Sequence, residues 1–240
     1  MEMIEILNAS CIEYGIELTD KQLQQFNRYY ELLIEWNEKI NLTAITEPAD
    51  VAVKHFVDSL TVAELLPTTN NQPLCLIDVG SGAGFPGIPL KIIYPQLKLT
   101  LLDSLNKRLK FLQTIIDELE LTDVILIHGR AEEVGRAKNQ RECYDIAVAR
   151  AVARLNVLCE LCLPFVKRQG LFIAQKGAAA NNELLEAEQA IKLLGGKFEQ
   201  SVEVKLPGLN DLRSLIVIKK IKNTPDAYPR QAGTPERKPL

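Results

Sequence analysis

No apolar run in this 240-residue chain approaches the roughly 20 residues that a membrane-spanning helix needs, so no such helix is expected. The acidic, polar N-terminus lacks the pattern of a secretory signal, and a cytoplasmic location follows as the expectation. Cysteine is sparse: five residues at irregular spacing, an odd number, favour reduced thiols over a disulfide framework. Only Cys159 and Cys162 are spaced like a metal or redox pair. They lie inside the apolar helical pattern LNVLCELCLPFV with no second cysteine or histidine pair nearby, so they read as core thiols. No metal-binding cluster emerges, and no catalytic metal is expected. A basic excess is also missing. The formal charge of −3 and pI near 5.6 exclude the global polyanion signal of a strongly basic nucleic-acid-binding domain, so any such contact must be local.

What is present is enough apolar material, 47% of residues, for one large core with a small appended unit. Residues 1–70 read as a helical N-terminal extension. Thr19 with Gln22 forms a capping box, and Leu23, Phe26, Tyr30, Leu33 and Asn37 then line one face of a helix of about five turns. A further helix is predicted from Pro48, whose missing N–H is harmless in a first turn, through ADVAVKHFVDSLTVAELL. The first 15 residues are a weaker helical candidate.

Over residues 71–222 the rhythm changes to strand-length apolar runs separated by helix-length segments: LCLIDV, LKLTLLD, DVILIH, YDIAVA and GLFIAQ, then KFEQSVEVKL and RSLIVIKKI. This is the pattern of βαβ units, an α/β fold with a mostly parallel, doubly wound sheet buried on both faces. The last two runs are joined only by the short PGLND and should pair antiparallel at one edge. No internal repeat is visible. A ligand is expected at the carboxyl ends of the strands, where strand order reverses. Residues 223–240 form a Pro-rich, basic C-terminal tail carrying Arg230, Arg237 and Lys238, read as solvated chain with local RNA contact as the alternative.

The turn in LCLIDVGSGAGFPGIPLKI closes the first strand and opens a helix. Gly82, Gly84 and Gly87 satisfy G-x-G-x-x-G, a dinucleotide fingerprint, with Asp103 ending the next strand where an acid binds ribose. The other frame is Asp78-x-Gly80-x-Gly82-x-Gly84, whose leading carboxylate would repel a pyrophosphate. That frame, with an acid after the second strand, resembles the S-adenosylmethionine (SAM) site of class I methyltransferases, which have a Rossmann-like fold. An oxidoreductase and a purely structural turn are the competing readings.

NEKINLTAI, VKHFVDSL, DVGSGAGFPGIPL, LLDSLNKRLKFL, HGRAEE and ARAVARLNVL together closely resemble the small-subunit ribosomal RNA guanine-N7 methyltransferases, also called the glucose-inhibited division protein B family. The resemblance runs through the tail YPRQAGTPERKP. It implies methylation of N7 of a guanine in the 530 loop of 16S ribosomal RNA, conventionally guanine 527. It also implies SAM as cofactor, S-adenosylhomocysteine as product, and as partner the small ribosomal subunit or an assembly intermediate. A monomer is the default. By the same resemblance Gly80, Phe85, Asp103, Ala131, Glu132 and Arg150 would contact SAM, while Arg130, Lys176 and Pro86 match other positions associated with activity. The acid and remaining glycines of the frame, Asp78, Gly82 and Gly84, together with Arg130, complete the expected cofactor set.

Guanine N7 has an in-plane lone pair and needs no general base, so catalysis would rest on in-line positioning. The fourth strand carries neither the Asp-Pro-Pro-Tyr type signature that resembles exocyclic-amine methyltransferases nor a Pro-Cys suited to attack on a pyrimidine. Cations close to N7 would oppose the positive charge it acquires, so Arg150, Arg154 and Lys176 are expected on phosphates or guanine O6. Phe85 is a candidate surface for an extruded base. His55 and His128 read primarily as structural, Glu133 as a first-turn acid and Asp145 as a turn or capping residue. A non-catalytic assembly factor would show a damaged glycine frame, and this frame is whole.

Overall fold

The computed structural model describes residues 2–67, 73–150, 153–177, 179–209 and 212–240. The boundary expected between residues 70 and 71 lies outside them, as do residues 210 and 211 of the PGLND connection.

Helices α1 (Met3–Glu13) and α2 (Asp20–Ile40) open the chain. The capping box forms: the Thr19 hydroxyl accepts the Gln22 N–H at 3.3 Å, and the Gln22 side-chain oxygen accepts the Thr19 N–H at 2.9 Å. Along α2 it is Tyr29, rather than Tyr30, that is fully buried. The cause is long-range, since its hydroxyl donates to the Ala83 carbonyl in the glycine turn. The single helix expected from Pro48 is divided into α3 (Pro48–Val51), a π-helical stretch at Ala52–Val57, α4 (Asp58–Leu60) and a 3₁₀ turn at Thr61–Leu65. Arg150 inserts at this wide turn, donating to the carbonyls of Lys54 at 3.2 Å and His55 at 3.5 Å.

Strands and helices then alternate: β1 (Cys75–Val79), α5 (Gly87–Ile93), β2 (Lys98–Asp103), α6 (Asn106–Glu118), β3 (Val124–His128), α7 (Ala131–Val134), β4 (Tyr144–Arg150), α8 (Leu155–Cys162), β5 (Val166–Lys176) and α9 (Ala180–Leu193). β6 (Gly196–Lys205), β7 (Leu212–Lys220) and a short α10 (Thr234–Arg237) complete the chain. The sheet order is β3-β2-β1-β4-β5-β7-β6, and β7 runs antiparallel to both neighbours. Composition explains the order of the last pair. Leu215, Ile216, Val217 and Ile218 of β7 are buried, whereas polar β6 can face water as the edge. The other edge departs from the expected two-sided burial: Ile125 of β3 is 61% exposed, because an edge strand has a neighbour on one side only.

Strand order reverses between β1 and β4, which places the crevice at their carboxyl ends. Alternation along β1 sends Leu76 into a core shared with Phe26, Tyr29, Phe56 and Phe111, and sends Ile77 and Val79 to the opposite face with α8 and α9. The N-terminal helices therefore complete one layer of the sheet's own core. Cys159 and Cys162 lie wholly within the opposite layer, and burial pushes both thiols well up from their ordinary value, as inert core thiols require.

The tail is packed, contrary to its expectation as solvated chain. Arg136 donates to the carbonyls of Ala227 and Pro229, and Arg141 to those of Thr224 and Tyr228. Arg230 makes a forked ion pair with the buried carboxylate of Glu160, at 2.6 Å for its shortest contact. Proline richness leaves few backbone donors in this strap, and arginines of the β3–β4 region satisfy its carbonyls.

Candidate active site

The glycine turn joins β1 to α5. Gly80, Gly82 and Gly84 all adopt positive φ, of 76°, 58° and 95°. The backbone N–H groups of Gly80 and Ser81 donate to the Leu102 carbonyl, those of Gly84 and Phe85 to the Ser81 carbonyl, and that of Gly82 to the Asp103 carboxylate at 2.9 Å. This accounting separates the two readings of the motif. A pyrophosphate needs free N–H groups at the turn; here those of Gly80, Ser81, Gly82, Gly84 and Phe85 are already donated, and the Asp103 carboxylate lies beside them. SAM carries no phosphate and brings a sulfonium, which suits a turn of this charge.

Asp103 was expected as a ribose acceptor, on the ground that a carboxylate ending a buried strand lacks another purpose. The structure supplies that purpose: besides Gly82, it accepts the Leu105 N–H at 2.8 Å, and it is 2% exposed. It joins two cavities. The first, about 220 Å³, is lined by Gly80, Asp103, Ser104, Arg130, Ala131 and Glu132 among others. The second, about 390 Å³, includes Gly80, Gly82, Phe85, Asp103 and Arg150 with Thr43 and His55. The first lies beside the ends of β2 and β3, and the second lies between the glycine turn and the N-terminal layer. Glu132 is also engaged elsewhere, accepting the Gly233 N–H of the tail at 2.9 Å.

Asp78 lies beneath the turn and lines neither cavity. One of its oxygens accepts the Gly87 N–H at 2.9 Å, and the other has no hydrogen-bond partner among the described residues. Burial, only partly offset by that bond and by the charge of Arg150, raises its pKa from 3.8 to about 7. Because the folded value exceeds the unfolded one, the native state takes up a proton between these limits, and the penalty for the charged form is complete only above pH 7. Asp78→Asn removes that penalty. Its stability relative to the wild type should improve by about 2–3 kcal/mol between pH 5 and pH 8. Urea unfolding at the two pH values checks this, and a constant difference would show that Asp78 is ionised throughout.

The Phe85 ring does not offer the open face expected for a base. It is 5% exposed, lies nearly parallel to Tyr29 and His55 with centroids 5.4 and 4.6 Å away, and has the Arg150 guanidinium 4.7 Å from its centroid. Arg150 is bound to Asp58 at 3.0 Å and is largely buried. Lys176 is likewise held, by Glu183 at 2.7 Å and the Ala153 carbonyl at 2.8 Å. Arg154 stays 67% exposed beside Glu186, Pro86 caps α5, and Gly84 packs against the N-terminal layer. None of Gly84, Pro86, Arg154 and Lys176 lines these two cavities. His128 is exposed at the end of β3, its Nε2 3.1 Å from the Ser104 carbonyl.

His55 proves more central than the sequence suggested. It lines the larger cavity, and burial together with Arg150 lowers its pKa to about 3, so the ring is neutral at physiological pH. Residues that sequence reasoning passed over, Asp58, Ser104 and Arg108, join the site through contacts with Arg150 or the cavity wall. The motifs VKHFVDSL, which contains Asp58, and LLDSLNKRLKFL, which contains Ser104 and Arg108, gave the signal in this region.

Comparison with known proteins agrees with the geometry. The GidB family profile, described as rRNA small subunit methyltransferase G, matches residues 22–212. The chain is 54% identical to ribosomal RNA small subunit methyltransferase G of Alkaliphilus metalliredigens over 100% of both chains. It is 50% identical to the Bacillus subtilis protein of that name, over 99% of this chain and 98% of the other. Among solved structures, a geranyl diphosphate methyltransferase in complex with GPP and sinefungin shares the fold. Its TM-score is 0.54 at 11% identity, covering 69% of this chain and 78% of that one. The match over nearly all the sheet, on a whole glycine frame and at half or more of all positions to full-length relatives, means that the chain belongs to the rRNA small subunit methyltransferase G family and is a SAM-dependent rRNA methyltransferase.

Proposed function

We propose that the chain methylates N7 of a guanine in the 530 loop of 16S ribosomal RNA, conventionally guanine 527, without a general base. The observation that carries this reading is the engagement of the basic atoms around the larger cavity. Both Asp103 oxygens accept backbone N–H groups, and both His55 nitrogens are hydrogen-bonded. Such a site favours an acceptor atom that already has an available lone pair, as guanine N7 has. SAM supplies a methyl group on positively charged sulfur; on transfer the C–S electron pair stays with sulfur, giving S-adenosylhomocysteine, and the guanine takes the charge. Gly80, Gly82 and Asp103 shape the cofactor floor, with Arg130, Ala131 and Glu132 at its nucleoside end. Asp58 offsets the charge of Arg150, which keeps a bare cation from facing the methylated ring. Arg154 is the exposed phosphate contact, while Pro86 and Lys176 support the turn and the start of α8. The substrate is the small subunit or an assembly intermediate, met by a monomer in the cytoplasm.

The test is transfer of labelled methyl from SAM to small-subunit particles from cells lacking this protein, with chemical cleavage mapping of 7-methylguanine. A single signal in the 530 loop is expected, and Gly82→Asp should abolish it, since the new side chain enters at a backbone of φ 58° beside the cofactor floor. Methyl incorporated at any other atom or site would overturn the assignment.

A further inference from the structure

The loop after α2 carries a hydroxyl whose hydrogen-bond capacity is only partly used. The Asn37 side-chain oxygen accepts the N–H groups of Leu42 at 2.6 Å and Thr43 at 2.8 Å, fixing the loop against the end of α2. The Thr43 hydroxyl oxygen accepts the Ile45 N–H at 3.0 Å and lies 2.8 Å from His55 Nε2. Which of these two groups donates is decided at the other side of the ring. His55 Nδ1 faces a guanidinium nitrogen of Arg150 at 3.3 Å, and a guanidinium can only donate. Taking this contact as a hydrogen bond from Arg150 makes Nδ1 the acceptor and assigns the proton of the neutral ring to Nε2, whose N–H then donates to Thr43. A hydroxyl has two acceptor lone pairs and one hydrogen. Both lone pairs of Thr43 are occupied. Among the described residues nothing accepts its hydrogen, and Thr43 lines the cavity that holds Gly80, Gly82 and Asp103.

We propose that the Thr43 hydroxyl, forced by His55 to act as a donor, hydrogen-bonds O6 of the target guanine and so selects guanine over adenine; this rests on the guanine-N7 reading above. Guanine presents adjacent acceptors at N7 and O6, whereas adenine presents an amine donor at the position of O6. A donor that cannot reverse its role would meet that amine hydrogen to hydrogen. The choice of a hydroxyl also has a charge rationale: it recognises O6 without adding a cation beside a ring that is becoming positive. Arg150, neutralised by Asp58, acts through His55 as a positioning residue.

The experiment measures kcat/KM for N7 methylation of small-subunit particles reconstituted with RNA carrying either guanine or 2-aminopurine, which keeps N7 and lacks O6, at the target position. The wild type should favour guanine by roughly ten-fold, the scale of one hydrogen bond. Thr43→Val should lose roughly that factor on guanine and nothing further on 2-aminopurine, with SAM affinity unchanged by calorimetry. Thr43→Ser, which keeps the hydroxyl, should recover the preference. Equal wild-type rates on the two bases, or an equal loss on both with Thr43→Val, would overturn the role of Thr43 while leaving N7 methylation standing. Absence of N7 methylation of the guanine particle by the wild type would instead overturn the underlying reading.

Discussion

Gly84→Ala is expected to lower the melting temperature by about 10 °C, the consequence of roughly 3–5 kcal/mol in a chain of this size, and to abolish measurable SAM binding. A Cβ at this position would lie 2.6 Å from the Tyr29 hydroxyl, 2.8 Å from Ile88 Cγ1 and 3.0 Å from Leu112 Cδ2. None of these can withdraw cheaply: Tyr29 is fully buried, stacks near Phe85 and donates to the Ala83 carbonyl. The backbone there has φ 95°, so about 1–3 kcal/mol of conformational strain adds to a similar cost of overpacking. Gly82→Ala is the internal comparison. Its Cβ would meet only the Gly80 carbonyl at 3.9 Å, so strain alone acts and the loss should be about 1–2 kcal/mol. Thermal unfolding and SAM calorimetry on both variants decide the matter, and equal losses would mean that contact with the N-terminal layer does not constrain the turn.

The other large effect concerns the ion pair linking the N-terminal layer to the sheet. Arg150→Met should destabilise by about 3 kcal/mol at neutral pH and reduce methyl transfer, because it strands the buried Asp58 carboxylate. Arg213, 3.8 Å from the other Asp58 oxygen, keeps the loss at the lower end of the range for broken buried pairs. Burial already raises the Asp58 pKa, and Arg150 is the main group opposing that rise, so the variant raises it further. The native state would then bind a proton that the unfolded chain releases above its ordinary 3.8, and the variant's deficit should shrink as pH falls toward that value. Asp58→Asn added to Arg150→Met should recover part of the stability. A deficit that is the same at pH 5 and pH 8 would rule out a stranded carboxylate as the cause.

Much of the architecture is local in origin. The seven apolar runs, the capping box at Thr19, the first-turn proline at Pro48 and the glycine turn after β1 each depend on residues within a few positions of one another. Periodicity and turn chemistry encode such relations directly, and they suffice for an α/β sheet with its crevice beside Gly80 and Asp103. The burial of Cys159 and Cys162 was readable for the same reason, from an apolar helical pattern.

The polar partnerships of the site were not readable. Asp103 was expected to meet ribose; its carboxylate also accepts the N–H of Gly82, 21 positions away, a contact that no local pattern encodes. Arg150 meets Asp58 across 92 positions and His55 across 95, and Glu160 meets Arg230 across 70. The tail shows the same limit. Its composition is that of solvated chain, but arginines more than 80 positions earlier supply the donors for its carbonyls. By itself, then, the sequence determined the strand and helix order and the glycine turn, because these follow from near-neighbour pattern, and its motifs carried the resemblance to the family. Tertiary structure alone decided which charges are neutralised and which polar groups meet around His55 and Thr43, because each depends on docking two distant layers onto one sheet, where a buried polar group must find its partner or bear the cost of burial.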